Sequence, residues 1–206
     1  MSGLVSDVGA TAAGYAIGSI PFGLLLGHAT RGLDVRETGS GSMGSTNVLR
    51  VAGPAAAAAT FALDVGKGTA AVLCARSLGA EPAGQVGAGL AAMVGHSWPV
   101  FAGFRGGKSV ATAFGGLLAV SPEASAWAVA GGLSALLGTR IVSIGSMVAA
   151  ASATIGAGVS AARGGARAPL VFAGLASALI AIRHTDNLRR LARGVEPRVS
   201  LSRRAR

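Results

Sequence analysis

Little in this sequence is suited to water or to covalent cross-linking. The single cysteine, Cys74, excludes an intrachain disulfide and any cysteine-based zinc or redox motif. Eight acids face eighteen cations, and charged residues make up only 13% of a chain that is 51% hydrophobic. That is too little polarity for a water-facing globule, and it points to a polytopic membrane protein. Six Phe, two Trp and one Tyr leave few rings for base stacking. The net charge of +10 therefore does not mark a nucleic-acid binder, since its arginines stand between and after apolar runs. No basic segment precedes the first apolar run, which begins at Val8 after Asp7, so this run reads as a retained helix and not a signal peptide. No soluble stretch is long enough for a second unit, and residues 1–206 read as one integral-membrane domain.

What the chain does have is apolar length. A helix needs roughly 20 apolar residues to cross a hydrocarbon core. Residues 8–27, 82–104 and 141–162 meet that length, and 51–75 does so with Asp64 and Lys67 inside. Three shorter runs, 109–122, 124–139 and 168–182, cross only by packing on neighbours or thinning the bilayer. Ser121, Pro122 and Glu123 read as an N-cap, a first-turn proline and a first-turn acid, which divides 109–139 into two helices. The expected fold is all-α, a seven-helix transmembrane bundle with the N-terminus outside and the C-terminus cytoplasmic. Seven passes place Arg31, Arg36, Arg50, Arg105, Lys108, Arg140 and the basic tail 183–206 on one side, with Arg76, Arg163 and Arg167 on the other. Cytoplasmic loops carry the excess of cations, which sets this orientation. Six passes would export the arginine-rich tail, while five, with 168–182 lying at the surface, stay open. Gly14, Gly18 and Gly23, and Gly84, Gly87 and Ala91, are expected at close helix contacts.

Three polar patches fall on the cytoplasmic side. The first, TGSGSMGSTNVLR (38–50), lies in a motif loop at about 30–53. Its glycines free backbone N–H groups, Ser40, Ser42, Ser45 and Thr46 add hydroxyl donors, and Arg50 adds a planar cation: the parts of a phosphate cradle. The second, GHSWPVFAGFRGGKSVATAFG (95–115), turns at about 104–109 through Arg105, Gly106, Gly107, Lys108 and Ser109 into a helix N-terminus, a second anion site. It is not a nucleotide P-loop, because Ala102 stands where the spacing needs glycine and no strand precedes it. The third, IRHTDNLRRLARGVEPRV (182–199), sets His184, Asn187 and Leu191 on one flank of a continuing helix, and Arg183, Asn187 and Arg190 on the adjoining one. Arg193, Arg198 and the closing RRAR read as a lipid anchor. Asp64 and Lys67, at i and i+3 inside a span, are expected to pair, either as a structural tie or to position the polar loops.

Taken together, GSIPFG (18–23), the GSG and TNVLR of the first loop, LDVGKG (63–68), GHSWPVFAGFRGGKSVAT and RHTDNLRRLARGVE resemble the PlsY family, the bacterial membrane acyltransferases that use acyl phosphate and glycerol 3-phosphate. The likeness covers nearly the whole chain. It implies transfer of a long acyl chain from acyl phosphate to the 1-hydroxyl of sn-glycerol 3-phosphate, giving lysophosphatidic acid and phosphate, at a site facing the cytoplasm of the bacterial cell membrane. Carried over residue by residue, it implies Ser40, Thr46, Asn47 and Arg50 from the first motif, Lys108 and its glycines from the second, His184 and Asn187 from the third, and Glu196 from the terminal acid. Against the family's usual residues, Ser42 replaces Asn, Ser45 replaces Ala, Arg105 replaces Lys and Ser109 replaces Gly.

The resulting expectation gives catalytic roles to Lys108, Asn187, Ser40 and His184. Substrate contacts fall to Thr46, Asn47, Arg50, Arg105, Gly106, Gly107, Ser109, His96, Arg190 and Glu196. Lys108 and the 106–109 amides would take one phosphate, Arg50 with Ser40 and Thr46 the other, and Asn187 the carbonyl oxygen or the acceptor. Acyl phosphate is an activated anhydride, so the work left is positioning, oxyanion stabilisation and charge neutralisation, with no metal or cofactor. The proton acceptor stays open among His184, His96 and a substrate phosphate oxygen. None of His28, His96 and His184 is followed by four residues and then Asp, which excludes the His-Asp engine of thioester-using lipid acyltransferases. An organic-phosphate transporter would need two related halves, and none is visible; a silent lipid- or phosphate-binding scaffold remains the other alternative.

Overall fold

The computed structural model describes residues 2–199, with side chains from residue 6 onward. All regular structure among them is helical. In chain order the helices are α1 (Ser2–Gly18), α2 (Phe22–Arg31), α3 (Ser45–Ala52), α4 (Pro54–Ser77), α5 (Pro82–Ser97), α6 (Val110–Val120), α7 (Pro122–Thr139), α8 (Val142–Ala162), α9 (Ala168–Arg183) and α10 (Thr185–Ala192). Three stretches are long and apolar enough to cross a bilayer: Ser6–Arg31, Pro54–Ser77 and Val142–Ala162. The pair α9 and α10, bent by 60°, makes a fourth if it is taken as one span.

The boundaries follow local chemistry. Ser121 caps α7 by accepting a hydrogen bond from the Ala124 amide, with Pro122 and Glu123 in the first turn, so 109–139 is two helices as its sequence indicated. Three runs break where unbroken helix was expected. The 8–27 run stops at Ser19–Ile20–Pro21, because proline cannot donate to the helix ladder. The 82–104 run leaves the helix after Ser97, where Pro99 forces Trp98 out of helical geometry, and a single 3₁₀ turn follows at Val100–Ala102. The helix expected to continue past 183 bends at His184. The first motif loop is also partly helical, since α3 carries Thr46, Asn47 and Arg50.

Packing is inverted relative to a water-soluble protein. The buried apolar residues are dominated by alanine, while Leu137, Val171, Leu175 and Ile182 face outward. Small residues let the helices close in, where van der Waals contact replaces a hydrophobic drive. A methyl group on Gly14 or Gly18 of α1 would overlap the Ala88 or Ala92 backbone of α5, and one on Gly68 of α4 would overlap Thr112 of α6. Gly23 meets the Met43 carbonyl of the first loop rather than another helix. Phe172 fills the junction of α5, α6 and α9, lying over Gly89 and Gly116. Arg203, Arg204 and Arg206, read as part of a lipid anchor, lie outside the described residues.

Candidate active site

At one end of the bundle, six segments enclose a cavity of about 520 Å³. They are the first motif loop with α3, the Phe61–Asp64 stretch of α4, the end of α5 at His96, the start of α6, the start of α8, and the bend and tail after α9. Ser40, Thr46, Asn47, Arg50, His96, Lys108, Ser109, His184, Asn187, Arg190 and Glu196 all line it.

The first loop is held by one buried side chain. Asn47 Nδ2 donates to the Val35 carbonyl at 2.7 Å and the Thr38 carbonyl at 3.1 Å, and its Oδ1 accepts from the Ser40 amide at 2.9 Å. With all three groups engaged, Asn47 shapes the loop and leaves Ser40, Thr46 and the exposed Arg50 to face the cavity. Outside the bundle, Arg36 grips Asp34 through its Nε and Nη2 and donates from Nη1 to the Ala102 carbonyl at 2.7 Å. That contact ties the first loop to the turn before the second. The Arg36 side-chain hydrogen bonds hold the Asp34 carboxyl down to about 2.

In the second loop the glycines serve packing. The Gly107 amide donates to the His96 carbonyl at 3.0 Å, and a methyl at 107 would overlap the His96 ring. Gly106 packs on the His96 and Ser97 carbonyls. Neither glycine lines the cavity, and the Gly107 amide is spent, so of the expected 106–109 cradle only Lys108 and Ser109 reach the cavity wall. Ser109 sits in left-handed backbone at φ 59, a costly place for a side chain. Its hydroxyl is within 2.7 Å of Ser97 Oγ and donates to the Met93 carbonyl at 2.6 Å, fixing the start of α6 to the end of α5. Arg105, expected at a phosphate, is exposed and stands outside the cavity lining.

Lys108 is therefore the second loop's cation in the cavity. Its Nζ donates to Asn187 Oδ1. Asn187 Nδ2 in turn donates to Glu196 Oε1 at 2.5 Å, which also accepts from Ser143 Oγ at 2.7 Å, while Glu196 Oε2 accepts from Arg190 Nε at 2.7 Å. One carboxylate thus anchors three donors from α8 and α10. Burial works to raise the Glu196 pKa, but hydrogen bonds from Asn187, Ser143 and Arg190 prevail and hold it below the usual carboxylate value. Burial first, then the charge of Arg190, brings Lys108 down to about 8; Glu196 opposes this, and Arg183 and Arg50 add to it. His184 Nδ1 lies 2.8 Å from the Ile180 carbonyl, which can accept only if that nitrogen is protonated, leaving Nε2 as the acceptor. Burial keeps the ring's pKa below its ordinary value. Arg183 donates from Nε to the Gly107 carbonyl at 3.1 Å and stacks over Trp98 at 4.9 Å.

Ser143 carried no sequence signal, since nothing in IVSIGS distinguishes it from a packing serine; only the returning tail, pinned by the Val199 amide to the Arg140 carbonyl at 2.8 Å, brings Glu196 to it. The arrangement is a polar cavity with Arg50, Lys108 and Arg190 around it, able to hold anionic groups side by side.

A family model described as "Glycerol-3-phosphate acyltransferase" matches residues 8–194. The chain belongs to the glycerol-3-phosphate acyltransferase family. It is 45% identical over 205 residues to the glycerol-3-phosphate acyltransferase of Anaeromyxobacter sp. (strain Fw109-5), covering 97% of this chain and 99% of that one. The fold is similar to the crystal structure of PlsY, an integral membrane glycerol 3-phosphate acyltransferase, in its glycerol 3-phosphate form. The TM-score is 0.86, with 37% identity over 95% of this chain and 96% of that one. The lysophosphatidic acid form of PlsY gives a TM-score of 0.84 with the same identity and coverage. The family likeness visible in the sequence motifs is thus shown, and the chain is an acyltransferase of the membrane.

Proposed function

We propose that this protein transfers a long acyl chain from acyl phosphate to the 1-hydroxyl of sn-glycerol 3-phosphate, releasing lysophosphatidic acid and phosphate. The observation that carries the reading is the convergence of Arg50, Lys108 and Asn187, from three separated motifs, on one cavity in a fold shared with PlsY. In the reaction the acceptor oxygen bonds to the acyl carbon, the carbon–oxygen bond to the leaving phosphate breaks, and the hydroxyl proton passes to an acceptor base. Arg50, with Ser40 and Thr46, is assigned to one phosphate and Lys108, with Arg190, to the other. Asn187, held by Glu196, is assigned to the carbonyl oxygen or the acceptor. Cations between two phosphates remove the repulsion that would otherwise keep the reactants apart, and in a partly dry cavity this counts for more than in water. His184 Nε2 is available as a proton acceptor, as is a substrate phosphate oxygen.

The membrane arrangement belongs to the same reading: seven spans formed by the broken α1–α2, then α4 to α9, with the N-terminus outside and the cavity at the cytoplasmic face of the bacterial cell membrane. The excess of cations at the cavity end supports it. Residues 1–206 act as one acyltransferase domain. Purified protein given acyl phosphate and glycerol 3-phosphate should release phosphate and form lysophosphatidic acid in equal amounts, and should not accept an acyl thioester. Phosphate binding without any acyl transfer would overturn the reading in favour of a silent scaffold.

A further inference from the structure

Asp64 and His96 are buried in the wall of the cavity, with Lys67 buried beside Asp64, and the chemistry above does not use their charges. Lys67 Nζ lies 2.9 Å from Asp64 Oδ1, and His96 Nδ1 lies 3.5 Å from the same oxygen. Neither approach has hydrogen-bond geometry, so Asp64 Oδ1 and His96 Nδ1 have no hydrogen-bond partner among the described residues. A helix anchor alone does not explain so costly a pair in lipid. The span α4 is already locked to α6 by backbone-close contacts at Gly68 on Thr112 and at Gly115 on Val65.

The contacts of the pair lead elsewhere. Lys67 Nζ donates to the Ile20 carbonyl at 2.9 Å, at the break between α1 and α2. Helix α2 then carries Gly23 and Gly27 against Met43 and Val35 of the first motif loop. On the other side, Asp64 faces the His96 ring, and that ring occupies the space a side chain at 107 would need, one residue from Lys108. Both routes end at cavity cations: Arg50 through the first loop and Lys108 through the second.

We propose that the Asp64–Lys67 pair, acting through Ile20 and His96, is a positioning device that sets the two anion-facing loops in register with each other. It rests on the acyl-transfer reading only for its activity readout. Exchanging both charges for neutral groups of similar shape, Asp64→Asn with Lys67→Met, avoids leaving one buried charge unpaired, and such exchanges are often neutral for folding. A structural tie would then predict little change in turnover. Positioning predicts a Tm within about 3 °C of the parent, with kcat lower by about tenfold to a hundredfold, since small displacements of reacting groups cost that much.

A second readout follows Lys108 itself, which faces Arg190, Glu196, Arg183 and Arg50. A loosened loop lets Lys108 return toward an ordinary lysine, so the alkaline limb of kcat/KM moves upward in pH, which a purely structural loss would not do. His96→Gln keeps the Asp64–Lys67 pair but removes the ring that lies between Asp64 and Gly107 and lines the cavity; the moved limb, which loss of a cavity-lining ring alone would not give, decides the matter if the double variant does not fold. Wild-type kcat and an unmoved limb in either folded variant overturn the proposal. Inorganic phosphate binding by calorimetry is read alongside, expected about tenfold weaker in both variants. If the parent protein makes no lysophosphatidic acid, the acyl-transfer reading fails, and unchanged phosphate affinity in the variants then overturns the positioning role separately.

Discussion

The titration of Lys108 gives the sharpest test of the cavity. Its ammonium is depressed to about 8 by burial and by Arg190, against the pull of Glu196. About nine in ten copies are charged at pH 7 and about one in ten at pH 9. Because kcat/KM reports groups of the free enzyme, it should fall by about tenfold per pH unit above about 8. Phosphate bound in the cavity favours the charged amine, so kcat should keep its plateau to a higher pH than kcat/KM. Lys108→Arg supplies the control: its guanidinium stays charged throughout, so the alkaline limb should vanish. The overall rate should drop by about tenfold to a thousandfold, as a planar fork replaces a point charge in a fitted place. Stability responds with the opposite sign. The folded state binds fewer protons than the unfolded chain between about 8 and the ordinary lysine value, so stability rises with pH across that window while kcat/KM falls. A stopped assay of lysophosphatidic acid across pH 6.5 to 10, beside thermal melts in the same buffers, reads both. A flat kcat/KM to pH 9.5, or an unchanged limb in Lys108→Arg, refutes the assignment.

Lys108→Ala should lower kcat by about a hundredfold to a thousandfold with the melt retained, checked by phosphate release and thermal scanning. Glu196→Gln leaves Asn187, Ser143 and Arg190 without their shared carboxylate; kcat/KM should drop by about tenfold or more, and limited proteolysis should cut the 193–199 tail faster than in the parent. Asn47→Ala leaves the Val35 and Thr38 carbonyls and the Ser40 amide without that partner; the expected loss is about 2–4 kcal/mol of loop stability, seen as faster hydrogen exchange over 35–44. Gly107→Ala drives a methyl into the His96 ring and should reduce turnover, whereas Arg105→Ala, outside the cavity lining, should stay within about threefold of the parent.

What the sequence disclosed and what it hid divide along a physical line. Apolar length, caps and the distribution of cations are local or additive quantities, so the helix division at Ser121–Pro122 and the gathering of cations near three motifs could be read directly. Arg50 and Lys108 were legible because cations beside glycine-rich turns have few other uses, whereas the roles of His184 and Asn187 came from the family resemblance. Contacts made by chain return were not. Ser143 meets Glu196 only because residues 193–199 fold back over the mouth of the bundle, and no window of sequence contains both partners. The Gly106–Gly107 pair shows a subtler limit. Glycine there was read as freeing amides for an anion, but glycine also lets a ring approach the backbone, and the two uses look identical until the His96 side chain is placed. The same ambiguity covered Asn47, whose carboxamide is as suited to holding a loop as to touching substrate. A polar residue in a motif therefore identifies a site's neighbourhood. Which atoms remain free to meet a substrate is decided only by the hydrogen bonds the fold has already made.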